Sequence, residues 1–216
     1  MLHILLQYHT TLLHGCFVTL ELLGIIMCVG IPLGVLCGIA AGMHHELLRV
    51  VRSLHFVSQV IPVLVILFWF HYPLQALLQV SINPFWTSVV ALGGVNAVSV
   101  AAIVSNELAR IPRAYIESAH TLGLKRLHIA RYIELPLLLR ASLPHIITQQ
   151  AAMLEYTLLT SLISVQELFR TAQTLNAQLY QPVEIYSLLI IFFFLILTPI
   201  HLGSRMLRKK YFVSYV

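Results

Sequence analysis

The sequence has few charged residues, and aspartate is absent from it altogether. Charged residues make up 10% of the 216 positions, hydrophobic residues make up 59%, and all 8 acidic residues are glutamate. A typical soluble domain contains about 25% charged residues. A soluble domain of this length could not bury so much apolar side-chain surface, so the composition predicts an integral membrane protein.

Motifs for nucleotide binding and for hydrolysis are missing as well. The sequence contains no GxxxxGK[ST] phosphate loop, no HExxH motif and no GxSxG motif. The three cysteines all lie in the first apolar run, which argues against a disulfide framework, and the 11 histidines form no zinc-binding spacing with them. These absences predict that the chain is not an enzyme and that it binds no metal or cofactor of its own.

Five apolar runs are long enough to cross the hydrocarbon core of a bilayer as helices. That core is about 30 Å thick and requires roughly 17–25 helical residues. The runs cover about residues 12–41, 54–72, 85–104, 137–162 and 185–202. We therefore predict one all-α transmembrane domain over residues 1–216, with five transmembrane helices.

Lysine and arginine are distributed unevenly between the two sides of this predicted bundle. Of the 13, only Arg170 lies on the side that also carries the N-terminus. Because lysine and arginine are retained in the cytoplasm, the N-terminus with Gln7 and Tyr8 is predicted outside and the C-terminus with Tyr215 inside. The net charge of +5 then marks the inner face of a lipid bilayer and needs no nucleic-acid partner.

Glycine recurs at every fourth position of the first run, at Gly30, Gly34, Gly38 and Gly42. This spacing places the four residues on one face of a helix, where two helix backbones can approach closely in a membrane. Two interpretations remain open. The face packs against another helix of the same chain, or it forms an interface with a second chain.

The fourth run is unusually polar for a membrane helix. At about 100° per residue, most of its polar side chains cluster on one side. A charged glutamate within a span is costly unless it faces a partner or a water-filled path. The run therefore predicts either a hydrogen-bond network between helices or a translocation path. The candidate path residues are His145, Thr148, Gln149, Glu155, Thr157 and Ser161.

The most distinctive pattern lies in a basic segment at about residues 109–136, between the third and fourth runs. Residues 115–122 are predicted to form a short helix that Gly123 ends, and residues 125–134 a second, cationic helical stretch. Pro136 is predicted to begin the next element. A helix, a glycine and a second helix in a polar loop between membrane spans are suited to docking onto a partner in the aqueous phase.

This segment resembles the cytoplasmic coupling loop of bacterial ABC-importer permeases. The shared pattern is Glu, a small residue, Ala, three residues, Gly, nine residues, Ile, one residue and Leu-Pro, and Ser118 stands where the family usually has alanine. The resemblance implies the type I ABC importer permease fold. It also implies a set of residues that couple the chain to an ATPase, namely Arg113, Glu117, Ser118, Ala119, Gly123, Lys125, Arg126, Leu135 and Pro136.

The same resemblance implies a set of partners. These are cytoplasmic ATPase subunits that bind ATP and Mg, a second permease chain that is identical or homologous, and an external solute-binding protein. The implied location is the bacterial inner membrane, which the chain crosses several times.

Further segments are similar to the permeases for polar amino acids. They are residues 15–20, residues 111–113, residues 154–157 and residues 161–168. The chain departs from that family at residues 59–62, where only the proline is kept, and at Ala102 and Ser105-Asn106, where charged residues are replaced. Glu155 replaces a frequent lysine, and this reversed charge favours a polar or basic amino acid over an acidic one.

Two other transport functions compete with amino-acid uptake. A methionine-type ABC permease shares the coupling loop and a similar length. An ion-coupled secondary transporter would also contain a glutamate within a span, but it needs no coupling loop and usually has internal repeats, which this sequence lacks. A catalytic pair of His145 and Ser161 is disfavoured, because sixteen residues of helix separate them by about 24 Å.

Overall fold

Long helices form almost the whole chain in the computed structural model, which describes residues 2–211. Within this range the chain has no strand, as the all-α prediction requires. The helices in chain order are α1 (Leu2–Met43), α2 (His45–Val60), α3 (Val63–His71), α4 (Pro73–Leu78), α5 (Pro84–Ala109), α6 (Arg113–Thr121), α7 (Arg126–Ile129), α8 (Leu135–Thr157), α9 (Leu168–Leu179) and α10 (Pro182–Tyr211). A π-helical turn at Ala130–Glu134 joins α7 to α8, and a 3₁₀ turn at Leu158–Ile163 follows α8.

The glycine face of α1 packs directly against α5. A Cβ atom placed on Gly34 would lie 2.6 Å from the Cβ of Val100, and one on Gly38 would lie 2.7 Å from the Cβ of Val104. Real Cβ atoms do not approach other atoms so closely, so a side chain on α1 would force the two helices apart. Packing within the chain, the first interpretation of the glycine spacing, is confirmed.

The central helix is α5, which contacts α1, α2, α3 and α8. Apolar residues fill most of these contacts, but one polar pair lies among them. The side-chain amides of Asn96 on α5 and Gln150 on α8 are buried and exchange two hydrogen bonds of 3.0 and 3.2 Å. Each amide therefore satisfies the other inside the bundle, and α8 does contribute to a hydrogen-bond network between helices.

The second predicted span is wrong as a single straight helix. Residues 54–72 include a break at Ile61 and Pro62, and the helical segments His45–Val60 and Val63–Leu78 meet at an angle of 99°. Pro62 has no N–H to donate to the preceding turn, and its ring disfavours the helical conformation at the residue before it. Ile61 accordingly adopts an extended conformation, with φ −85° and ψ 123°.

Three helical segments of the described chain are long and apolar enough to cross a membrane. They are His3–Met43, Pro84–Ala109 and Pro182–Lys210, and the bent pair would add a fourth if it counts as one span. The first, third and fifth predicted runs lie inside these segments. The helix α8 is outside the set because of its polar side chains, and the fourth run, residues 137–162, extends from α8 into the 3₁₀ turn. Five spans and the orientation of the termini stay predictions.

The loop between the fourth and fifth predicted runs contains α9, whose first turn is fixed by Glu167. This carboxylate is fully buried and accepts hydrogen bonds from the backbone N–H groups of Phe169 and Arg170, both at 2.7 Å. Burial raises the pKa of Glu167 to about 7, and the two backbone hydrogen bonds oppose that rise. The side chain therefore acts as the N-cap of α9.

Candidate functional site

A short helix that a glycine ends stands at one end of the bundle, between α5 and α8. Helix α6 runs from Arg113 to Thr121, and Gly123 follows in a left-handed conformation with φ +77°. The N–H of Gly123 donates to the carbonyl of His120 at 2.9 Å, and the N–H of Leu124 donates to that of Ala119 at 3.1 Å. The predicted short helix and its glycine stop are confirmed.

Only a few apolar side chains attach this loop to the rest of the chain. Ile111, Ala119 and Ile129 are buried, whereas Glu117 and Ser118 on α6 are exposed. These three buried side chains hold the loop, and with it α6, against the rest of the chain, and the polar side of α6 stays exposed. The Glu-Ser-Ala part of the pattern thus corresponds to one inward-facing position, Ala119, beside two outward-facing ones.

The prediction that Pro136 begins the next element is confirmed to within one residue, although the helical path does not stop before it. The chain is helical from α7 through the π-helical turn into α8, and Pro136 lies in the first turn of α8. In the wider π turn the N–H of Leu135 donates to the carbonyl of Ala130, five residues earlier. The change from four to five residues between donor and acceptor accommodates Pro136, which has no backbone N–H to donate.

Apart from Arg110, which pairs with Glu107, the cations of the loop are exposed and not neutralised by carboxylates of the described chain. Arg113, Lys125 and Arg126 have no carboxylate oxygen within 4 Å among residues 2–211. Glu117 likewise has no ion-pair partner in this range. Leu135 is 40% exposed and Pro136 is half-buried. The surface therefore combines open positive charge with exposed apolar atoms, as a protein docking surface does.

The polar side chains of α8 divide into two groups. His145, Thr148 and Glu155 are exposed and Gln149 is half-buried, and these four lie on one side of the helix. The Thr148 hydroxyl already lies 2.8 Å from the hydroxyl of buried Ser204 on α10 and donates to the carbonyl of Pro144. Thr157 and Ser161 are buried instead, and their hydroxyl groups donate to the carbonyls of Leu154 and Leu158. The structure thus brings four of the six candidate path residues together and places the other two inside the bundle.

Glu155 itself has no ion-pair or hydrogen-bond partner in the described part of the chain. The histidine on the same helix, His145, faces another carboxylate: its Nε2 atom lies 3.8 Å from Oε1 of Glu107. Glu107, at the end of α5, also accepts a hydrogen bond of 2.7 Å from Arg110. The Glu155 carboxylate is therefore open to a group from outside this chain.

The cluster of Glu107, Arg110 and His145 was missed in the sequence. Glu107 and Arg110 are three residues apart on a helix, a spacing that allows an ion pair and was visible in the sequence. The approach of His145 from α8 had no such signal, because it depends on how α5 and α8 pack. The cluster links the end of α5 to the middle of α8.

Comparison with known proteins gives matches over most of the chain. A family described as binding-protein-dependent transport system inner membrane component matches residues 30–212. The glutamine transport system permease protein GlnP of Escherichia coli K12 is 28% identical over 204 residues, which cover 92% of each protein. The arginine ABC transporter permease protein ArtQ of Haemophilus influenzae is 26% identical over 132 residues, which cover 61% of this chain and 60% of that protein.

Two solved structures share the fold. A crystal structure of an amino acid ABC transporter with histidines has a TM-score of 0.85 and 21% identity, covering 95% of this chain and 96% of that one. An inward-facing conformation of the MetNI methionine ABC transporter has a TM-score of 0.71 and 18% identity, covering 94% of this chain and 97% of that one. The helical arrangement described above is therefore that of an ABC transporter permease.

Proposed function

The chain belongs to the family of binding-protein-dependent transport system inner membrane components, and on that basis we propose that it is the permease subunit of an ATP-driven amino-acid uptake system. The observation that carries this proposal is the agreement of the whole fold with an amino acid ABC transporter. The similarity to glutamine and arginine permeases supports the same substrate class.

The α6 loop is proposed to couple this chain to a cytoplasmic ATPase. Glu117 and Ser118 would face the ATPase, Ala119 would hold α6 against the bundle, and Gly123 would set the sharp exit. Arg113 and Lys125 would attract the ATPase surface, since their charges are unpaired within the described chain. Arg126, Leu135 and Pro136 lie where the loop returns to the bundle.

Transport would follow from two conformations of a pair of permease chains. ATP and Mg bound by the ATPase subunits would bring those subunits together and carry the two α6 helices with them. The central path would then open towards an external solute-binding protein, and hydrolysis would restore the inward-facing state. The ligand-dependent difference in stability between the two conformations drives the change. No chemical step falls to this chain.

One side of α8 is proposed to line the path for the amino acid. His145, Gln149 and Glu155 supply hydrogen-bonding groups and one carboxylate that no cation of the described chain neutralises, and Thr148 adds a hydroxyl that is also bonded to Ser204. A basic or polar amino acid carries the ammonium or amide donors that such a surface can bind. Methionine is the second candidate substrate, because the fold also matches a methionine transporter.

The role of Glu155 is tested by removing its charge. Glu155→Gln keeps the shape of the side chain, and we expect it to weaken uptake of arginine or lysine roughly tenfold, because a hydrogen bond to a charged group contributes about 1.5–3 kcal/mol. The measurement is uptake of labelled amino acids into vesicles that contain the chain, its ATPase and its binding protein. The matched control is Glu21→Gln, which removes an exposed carboxylate from α1.

Unchanged affinity and specificity in Glu155→Gln, with normal assembly, would assign Glu155 a structural role. If the unaltered complex took up no amino acid at all, the proposed transport function itself would be wrong. The failure of the Glu155 proposal and the failure of the transport proposal therefore give different results.

The proposed orientation is tested by cysteine labelling. In a background without Cys16, Cys28 and Cys37, we expect an impermeant maleimide to label Gln7→Cys in intact cells and to leave Tyr215→Cys unlabelled until the membrane is opened. Tyr215 lies outside the described residues. The physical reason is the retention of lysine and arginine in the cytoplasm. Labelling of Tyr215→Cys in intact cells would reverse the orientation.

A further inference from the structure

A groove of about 540 Å³ lies where the end of α1, the end of α5 and the helical segment from α7 to α8 come together. Its apolar lining includes Ile39 of α1, Leu108 of α5 and Leu138 of α8. Ile39 and Leu138 belong to the predicted membrane runs, whereas the α7 part of the lining belongs to the polar loop. The groove therefore extends from the predicted membrane-spanning part of the chain to the polar loop.

Charged side chains also line this groove. Arg126 and Arg131 are exposed, and neither has a carboxylate oxygen within 4 Å in the described chain. The guanidinium of Arg131 lies 5.9 Å from the centre of the Tyr132 ring. Glu134 lines the groove as well and is half-buried. Two cations and one carboxylate leave an excess of positive charge beside an apolar slot.

This combination distinguishes the groove from a second apolar groove, which lies between α1 and α10. The groove between α1 and α10 has a volume of about 440 Å³, and neither lysine nor arginine lines it. Any apolar chain would fit that surface equally well. In the groove lined by Arg126 and Arg131, the positive charge favours an apolar ligand that also carries an anionic headgroup, because such a headgroup can interact with both arginines.

Exposed leucines extend the apolar lining towards the polar loop. Leu127 is 76% exposed and Leu135 is 40% exposed, and both line the groove. Exposed leucine next to arginine at a membrane surface is suited to a molecule with an apolar tail and a charged head.

We propose that the groove binds one anionic phospholipid with a hydroxyl-bearing headgroup, such as phosphatidylglycerol. The phosphate interacts with Arg126 and Arg131, and one acyl chain lies along Ile39, Leu108 and Leu138. The Glu134 carboxylate accepts hydrogen bonds from the headgroup hydroxyls. Such a lipid contacts α1, α5 and the start of α8 at once, and so it stabilises the position of the segment that leads into the α6 loop. This assignment goes beyond the proposed transport function.

Native mass spectrometry of the purified full-length chain, supplied with phosphatidylglycerol or phosphatidylcholine of the same acyl chains, tests the proposal. We expect one phosphatidylglycerol to bind per chain in preference to phosphatidylcholine. The double change Arg126→Gln and Arg131→Gln should weaken that binding about tenfold or more, the effect of removing two basic residues near an anionic headgroup. Leu135→Trp, which fills the groove without changing charge, should weaken it too.

The matched control is the double change Arg205→Gln and Arg208→Gln, which removes the same charge from the end of α10 and should leave binding unchanged. Equal binding of the two lipids, or an equal loss in the control, would overturn the proposal. If the groove variants lose the copurifying ATPase while phosphatidylglycerol binding stays intact, the groove is an ATPase contact and the lipid assignment is wrong. Lipid binding is measured without ATP or substrate, so it does not depend on the transport function.

Discussion

Gly123→Val is expected to reduce ATP-driven uptake roughly tenfold or more, because an L-residue in the left-handed region costs about 1–2 kcal/mol and a β-branched one costs more. Gly123 has φ +77°, and a Cβ placed on it would meet no atom within 4 Å. The effect would therefore come from the backbone conformation alone. The chain would relieve the strain by changing the turn after α6, and α6 would then meet the ATPase in the wrong position.

Two further variants separate this backbone effect from simple bulk. Gly123→Asn should retain most of the uptake, since asparagine tolerates the left-handed region. Gly24→Val should also be mild, because Gly24 has no atom within 4 Å of its Cβ position and no positive φ. The measurements are copurification of the ATPase and uptake into vesicles. Normal assembly together with normal uptake in Gly123→Val would contradict the proposed coupling role of the loop.

Local signals in the sequence predicted the loop correctly. Whether a short helix ends at a glycine depends on a few neighbouring residues, and α6 does end just before Gly123 as predicted. The glycine repeat of α1 likewise depends only on helical periodicity. Pro62 also marked a local break, but the surrounding apolar run concealed it. The 99° angle at that break depends on how α3 packs against α5, which no local signal contains.

The parts of the candidate site that join distant residues could not be predicted in this way. Asn96 and Gln150 are 54 residues apart, and their hydrogen bonds exist only because α5 packs on α8. Glu107 and His145 meet for the same reason. Ser161 was assigned to the path by extending α8, but the chain changes to a 3₁₀ turn at Leu158. Three residues per turn alter the direction in which later side chains point.

Gly34→Ala is expected to destabilise the folded chain by about 1–3 kcal/mol, the usual cost of overpacking a tight interface. The added Cβ would lie 2.6 Å from the Cβ of Val100 and 2.7 Å from the carbonyl oxygen of Ala97. A backbone carbonyl of a long helix cannot move independently of that helix, so α1 would have to separate from α5. Elsewhere in a helix the same change normally stabilises, because alanine has the higher helix propensity.

Because the same change is expected to have the opposite effect on stability at an uncrowded position, a second glycine of α1 serves as the control. Gly24→Ala, with no atom within 4 Å of its Cβ position, should be neutral or stabilising by up to about 1 kcal/mol. Gly42→Ala should fall between the two, because its Cβ would meet the end of the flexible Leu108 side chain. The measurement is thermal unfolding of the purified variants in one detergent. If Gly34→Ala is as stable as Gly24→Ala, the close approach of α1 to α5 is not what holds this bundle together.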